Sequence, residues 1–190
     1  TLTGTGRMYG AVTTQGHITL DQPFGTPAAL GNLNMGAGSL LAMAPTSAFD
    51  VQLGSASSYD SINGVGTVQQ DGALTVTTTG GFVPASHDIF TIVSGAGVSG
   101  VFNSVNLPPT GATGPAHVVY SPTNTKVVMC YANCDGSTTG PVLNVLDFSC
   151  FINSFAAGEA YANCDASTTA PVLNVLDFAC FINKFAAGCP

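Results

Sequence analysis

The sequence predicts a mainly β body, a short right-handed parallel β-helix, followed by a small disulfide-rich α-helical module. Three observations predict it. Glycine-cornered aliphatic phrases recur through the first 128 residues at roughly twenty-residue spacing, the cadence of stacked coils. All six cysteines (Cys130, Cys134, Cys150, Cys164, Cys180 and Cys189) come after that region. Beyond it, too, a 28-residue segment at 131–158 is repeated at 161–188 with four differences: Gly136/Ala166, Gly140/Ala170, Ser149/Ala179 and Ser154/Lys184. The composition shift places a domain boundary between 1–128 and 129–190.

In the body, strands announce themselves in chain order. Phe49-Asp50-Val51-Gln52-Leu53 and Leu74-Thr75-Val76-Thr77 alternate apolar with polar, as strands with one buried face do. Short apolar runs follow at Ile89-Phe90-Thr91-Ile92-Val93, Val118-Val119-Tyr120 and Val127-Val128-Met129. Turn signals separate them at Ile62-Asn63-Gly64, Asp71-Gly72, Gly80-Gly81 and Pro108-Pro109. No stretch of the body carries sustained helical periodicity. The phrases GNLNMGAGSLLAM (31–43), AFDVQLG (48–54), DGALTVTTTGGFVP (71–84) and HDIFTIVSGAGVSGVFNSV (87–105) read as coils with glycine at the corners. Over about 70 residues this run resembles the closing coils of autotransporter-type β-helix passengers. A β-sandwich or jelly roll is the alternative that the same alternation allows. A short solenoid leaves open ends that need caps or partners.

Charge narrows the function. Only 7% of the residues are charged, against about 25% in an ordinary soluble domain. Arg7, Lys126 and Lys184 are the basic residues, too few and too scattered for a nucleic-acid or anionic-membrane surface. Mean hydropathy is +0.37, yet no apolar run reaches the ~18–20 residues that cross a bilayer. No initiator Met or signal peptide begins the chain, which reads as a mature or trimmed product. With so few charges, little keeps copies apart, so self-association is expected, with residues 1–9 available to extend a neighbour's sheet edge.

Catalytic chemistry is thinly represented. The body offers Asp21, Asp50, Asp60, Asp71 and Asp88, no Glu, and the scattered histidines His17, His87 and His117. The carboxylates fall singly beside turn residues, where Asp bonds its own backbone, and His87-Asp88 reads as a turn. A GxSxG elbow and a phosphate-cradling glycine loop are missing, and there is no Trp for stacking on sugars.

Each copy of the repeat reads as a polar loop followed by an apolar helix. In the first, Val145, Phe148, Ile152 and Phe155 form the expected buried stripe. Asn144 is the expected N-cap, Asp147 suits the positive end of the helix, and Gly158 stops it; Asn174, Asp177 and Gly188 repeat the pattern. Upstream stand Asn133-x-Asp135-x-Ser137. Oxygen-bearing side chains at alternate loop positions, closed by a carboxylate at the helix start, suit Ca²⁺, which takes six to eight oxygens. Asn and Asp also cap helices and shape turns with no metal at all. An even cysteine count in a short segment reads as a disulfide framework in an oxidising compartment, and the absence of paired CxxC spacing argues against zinc.

Loop, outgoing helix and duplication together resemble a dockerin, the tandem calcium-binding module of secreted bacterial proteins. The LNVLDFxCF phrase resembles the cysteine-containing dockerin-like tails of planctomycete secreted proteins. The resemblance implies two calcium ions, one per repeat. It implies Asn133, Asp135, Ser137, Asn144 and Asp147 as ligands of the first, and Asn163, Asp165, Ser167, Asn174 and Asp177 as ligands of the second. Dockerin-like modules bring their ends together, which implies a Cys130 to Cys189 clasp. The other four cysteines pair either within copies (Cys134 with Cys150, Cys164 with Cys180), letting each copy close alone, or across them (Cys134 with Cys180, Cys150 with Cys164). Two departures stand out. From Asn133 to Asp147 is fifteen positions, so the Ser-Thr-Thr-Gly-Pro stretch at 137–141 must bulge from a loop that normally holds twelve. Two carboxylates per loop predict weak, extracellular-type affinity of about 10⁻⁴–10⁻³ M. Gly136 becomes Ala166, so a left-handed backbone there is not expected to be essential.

The expected protein is therefore bacterial, secreted or surface-borne, non-enzymatic and calcium-stabilised, with a structural or adhesive role as a self-associating fibre or surface-layer subunit. Its expected partners are other copies of itself, with no nucleic acid and no membrane insertion. The alternatives are a dockerin-type anchor that docks a β-rich cargo onto a cohesin-like receptor, and a β-helix enzyme acting on extracellular polysaccharide.

Overall fold

A computed structural model describes residues 2–3, 6–20, 30–85, 88–108, 116–137, 140–165 and 167–189. Asp21, His87, Pro109 and Ala166 lie outside the described residues, as do Thr138 and Thr139 of the expected bulge and Thr1, Gly4 and Thr5 of the N-terminal segment. Contacts divide the chain into two compact units. The first comprises Thr1–Pro84, Phe90–Pro109 and Tyr120–Val127; the second comprises Ala85–Ile89, Thr110–Val119 and Val128–Pro190. Two segments of the expected body, 85–89 and 110–119, thus belong with the tail. Sequence order hides this, because what holds them there is tertiary: Met129 N–H, for example, donates to the Asp88 carbonyl at 3.1 Å.

The first unit is a β-solenoid of about three turns. Each coil contributes strands to three sheets. One sheet stacks Leu2–Thr3, His17–Thr19, Ala48–Ser55, Ala73–Thr78 and Ser104–Asn106; another stacks Ala11–Thr14, Leu40–Met43, Thr67–Gln70 and Gly97–Gly100. The third carries Gly6–Met8, Asn32–Met35, Ser61–Gly64, Ile89–Ser94 and Asn124–Val128. The ladders between successive coils are parallel, whereas Asn124–Val128 runs antiparallel to Ile89–Ser94, with Gly95 N–H donating to the Thr123 carbonyl and Met129 N–H to the Asp88 carbonyl. A short antiparallel excursion pairs Leu53 with Tyr59. A β-sandwich needs antiparallel sheets face to face, so that alternative does not form.

Register shows why the chain coils this way. Ile18, Phe49 and Leu74 stand directly above one another, as do Leu33 and Ile62, and Leu41 and Val68, all buried. Period-two alternation turns these residues inward and leaves Asp50, Gln52, Thr75 and Thr77 facing outward. Each fully buried Leu, Ile or Phe contributes roughly 1.5–3 kcal/mol, so the stacked columns are the main source of the solenoid's stability. The expected twenty-residue coil is too short. Val12, Leu41, Val68 and Val98 are stacked partners, so coils advance by about 27 to 30 residues on that sheet. The phrases legible in the sequence are single sides of a three-sided coil. Glycine is required at the corners: Gly72 and Gly100 have φ of 78° and 77°, and a Cβ on either would lie 2.1 Å from a carbonyl oxygen of the coil beneath.

The second unit contains two thirteen-residue helices, α1 (Val145–Ala157) and α2 (Val175–Ala187), and a 3₁₀ turn at Ala160–Ala162. Both helices begin as expected. Asn144 and Asn174 accept the backbone N–H of Leu146 and Leu176 at 2.8 Å, and Asp147 and Asp177 complete capping boxes. Gly158 ends α1 in the left-handed conformation. The expected stripe is rotated. Val145 and Ile152 are exposed, while Phe151 and Phe181 are fully buried and stack at 4.2 Å, with Phe148, Phe155, Phe178 and Phe185 around them. The aromatic rings hold more apolar area than the aliphatic residues, so they take the interior face. Disulfides join Cys130 to Cys189, Cys134 to Cys150 and Cys164 to Cys180, the within-copy arrangement with a terminal clasp. Among the described residues no helix is long and apolar enough to cross a membrane.

Candidate metal centre

In each copy the loop oxygens converge through a shared set of backbone contacts. In the first loop, Ser137 N–H donates to both Asn133 Oδ1 at 3.0 Å and Asp135 Oδ1 at 2.8 Å, so these two side-chain oxygens lie beside one another. Ser137 Oγ donates to the Val142 carbonyl at 3.0 Å, which brings in a fourth oxygen. The buried Asp147 carboxylate closes the arrangement, accepting Asp135 N–H at 3.3 Å and Asn144 N–H at 2.8 Å. The second loop repeats every contact with Asn163, Asp165, Ser167, Val172, Asn174 and Asp177.

Eight of the ten expected ligands, Asn133, Asp135, Ser137, Asp147 and their counterparts, are thus brought together. Asn144 and Asn174 are placed differently. Their Oδ1 atoms cap the helices, and their Nδ2 groups donate to the Pro141 and Pro171 carbonyls at 3.1 Å. Sequence reasoning missed the Val142 and Val172 carbonyls. Counting five back from the closing carboxylate finds the backbone ligand of a calcium loop, but the three extra residues spoil a count made forward from Asn133. Both Gly140-Pro141 and Ala170-Pro171 are cis.

The donor set is all oxygen: two carboxylates, an amide, a hydroxyl and a carbonyl. Such donors fit a hard, oxygen-seeking cation of the Ca²⁺ type and suit zinc or copper poorly. Among the described residues no group of three or more His, Cys, Asp or Glu converges, so each cage relies on neutral oxygens for the rest. Burial, foremost, and the neighbouring Asp135 charge push the Asp147 pKa up, against the pull of the Asn144 and Asp135 amides. A cation placed beside the Asp147 carboxylate would offset that burial. Lys184, the basic residue of the tail, does not do so; its ammonium sits over the Tyr131 ring, 5.4 Å from the centroid.

Beside the first loop lies a feature that sequence reading did not single out. Tyr131 and Tyr161, equivalent residues of the two copies, stack at 4.7 Å, and each hydroxyl donates to the other's backbone carbonyl. Desolvation raises both phenol pKa values. His117 packs 4.8 Å from Tyr161, buried, with neither ring nitrogen hydrogen-bonded among the described residues. Its desolvation lowers the pKa to about 4; the nearby backbone of Asn133 and Cys134 opposes the shift without reaching hydrogen-bond geometry.

Among the described residues the carboxylates of the body do not gather. Asp50 pairs with His17 at 2.7 Å on the outer surface, and the buried Asp60 accepts the Gly31 and Gln52 amides at 2.6 and 2.8 Å. Asp71 accepts from Gly72 N–H and Asn103 Nδ2, and Asp88 accepts from Ala85 N–H, so each secures a turn or a coil contact. The disulfides point to an oxidising environment. No protein-family model matches this chain, and no curated protein matches it.

Proposed function

We propose that this is a secreted bacterial protein without catalytic activity, in which a β-solenoid is carried with a dockerin-like, calcium-stabilised tail and serves a structural or adhesive role outside the cell. One observation carries the calcium reading: in both copies shared amide and hydroxyl donors hold two carboxylates and three neutral oxygens close together, with no basic side chain among them. Asn133, Asp135, Ser137, Asp147 and the Val142 carbonyl would hold the first ion, and Asn163, Asp165, Ser167, Asp177 and the Val172 carbonyl the second. The bound cation supplies the positive charge that the paired carboxylates require. The chain's own residues position the donors and tie each loop to the start of its helix, so metal and helix are coupled.

Isothermal titration of the chelated protein with calcium should show two equivalents bound, and calcium should raise the melting temperature while magnesium, smaller and reluctant to dehydrate, does so less. No heat and no shift in millimolar calcium would remove the reading and leave the loop side chains as helix caps.

The anchoring reading has its own support. Val145, Leu146 and Ile152 on α1, and Val175, Leu176 and Ile182 on α2, are exposed at equivalent positions, so the two helices present the same apolar face twice. In that reading the faces dock on a cohesin-like receptor and the solenoid is cargo. Sedimentation of the purified chain with calcium separates the two. Oligomers or filaments are expected for the structural role, and a monodisperse monomer leaves only the anchor.

A further inference from the structure

The two cages have the same donors and, contact for contact, hydrogen bonds that agree within 0.1 Å. Their surroundings differ. Asn133 is 1% exposed, whereas Asn163 is half-buried; Asp135 is half-buried, whereas Asp165 is exposed. The first loop follows directly on buried Val128, Met129 and Cys130, and the Met129 amide is tied to Asp88. At its tip, Gly136 takes a left-handed φ of 63°, and a Cβ there would lie 3.3 Å from the Val119 side chain and 3.4 Å from that of Val128. The His117 ring closes in from a further element. The second loop follows a short 3₁₀ turn, and its Ser167 contacts to Asp165 and Val172 are solvent-exposed, where those of Ser137 are partly buried.

We propose that the two cages are unequal: the first, at 133–147, holds calcium tightly as part of the fold, and the second, at 163–177, releases and takes up calcium as the concentration outside changes. The inference rests on the calcium reading above and adds an order of filling to it. Its cause is environmental. A loop held on several sides loses little conformational freedom on binding, while a loop in solvent must be ordered each time. Attraction between cation and carboxylate is also stronger where water is excluded. The substitution pattern agrees, since the tightly packed glycine of the first copy is replaced by alanine in the second. The calcium-responsive element is then the start of α2, beneath exposed Val175 and Leu176.

The test is a calcium titration of the intact, oxidised wild-type chain, following the Ser137 and Ser167 amides by NMR. The Ser137 resonance should complete its shift at about tenfold lower free calcium than that of Ser167, the spread that site rigidity can produce. Calorimetry of two variants adds a second readout: Asp147→Asn should abolish the tight step and Asp177→Asn the weak one. Simultaneous filling, or Ser167 shifting first, overturns the proposal while leaving calcium binding intact. If neither amide moves in millimolar calcium, the calcium reading itself is overturned and the order of filling goes with it.

Discussion

His117 shows how one residue sets a limit on conditions. Its imidazole is buried against Tyr161 with both nitrogens unpartnered among the described residues, so the fold admits only the neutral ring. In the unfolded chain it titrates near 6.5, and in the fold near 4. The folded value is depressed, so the unfolded state binds the extra proton first as the solution is acidified. Stability is unaffected above pH 6.5 and falls progressively toward pH 4, by up to about 3 kcal/mol. A His117→Phe variant keeps the ring contact and removes the titration. Denaturant melts across this pH range should show the wild type losing stability relative to the variant, and parallel curves would show that the ring is solvated. Gly136 makes a related point. The expectation that a left-handed backbone is dispensable there does not hold in the first copy, where φ is positive and neighbours crowd the missing Cβ.

At the scale of elements, the two helices are alike in sequence and in caps, and each carries its closing carboxylate at the third position, inside the capping box. Helix start and polar loop are therefore a single device. Asn174→Ala removes the cap of α2 while leaving the converging oxygens of its loop in place. With chelator present, where metal plays no part, it should cost about 1 kcal/mol in thermal unfolding, the usual penalty for losing such a cap. An unchanged melting temperature would mean that the Leu176 hydrogen bond contributes nothing. The rotation of the buried stripe belongs at this scale too. Val145 and Ile152 fit helical spacing as well as Phe151 does, so periodicity alone leaves the buried face undecided. The choice is made by pairing with the second helix, where Phe151 stacks on Phe181.

The whole molecule combines two ways of staying folded. The solenoid is sustained by stacked aliphatic columns and has no disulfide; the tail buries little besides its aromatic cluster and is cross-linked three times. The clasp joins residues 59 apart in sequence and each inner bridge residues 16 apart. Chain-entropy reasoning assigns roughly 4 kcal/mol to the clasp and roughly 3 to an inner bridge. Replacing Cys130 and Cys189 together by Ser should therefore destabilise the tail more than replacing Cys134 and Cys150, as read by denaturant unfolding of the oxidised proteins. The reverse ranking would show that local packing outweighs the loop term.

By itself the sequence determined the class of each part. Alternating aliphatic residues with corner glycines dictate stacked strands, because a side chain that points inward once must do so in every coil. The near-identical repeats dictate two equal loop-and-helix units, with Asn144 and Asn174 as caps and the closing carboxylates in place. Only the tertiary structure decided the coil length, because three sides share one coil and the sequence marks the sides alone. It also decided the inner disulfide pairing, the burial of Phe151 over Val145, the use of the Val142 and Val172 carbonyls, and the unequal surroundings of two loops with the same donors. Each of those depends on which distant segment arrives beside a residue, and local spacing carries no record of it.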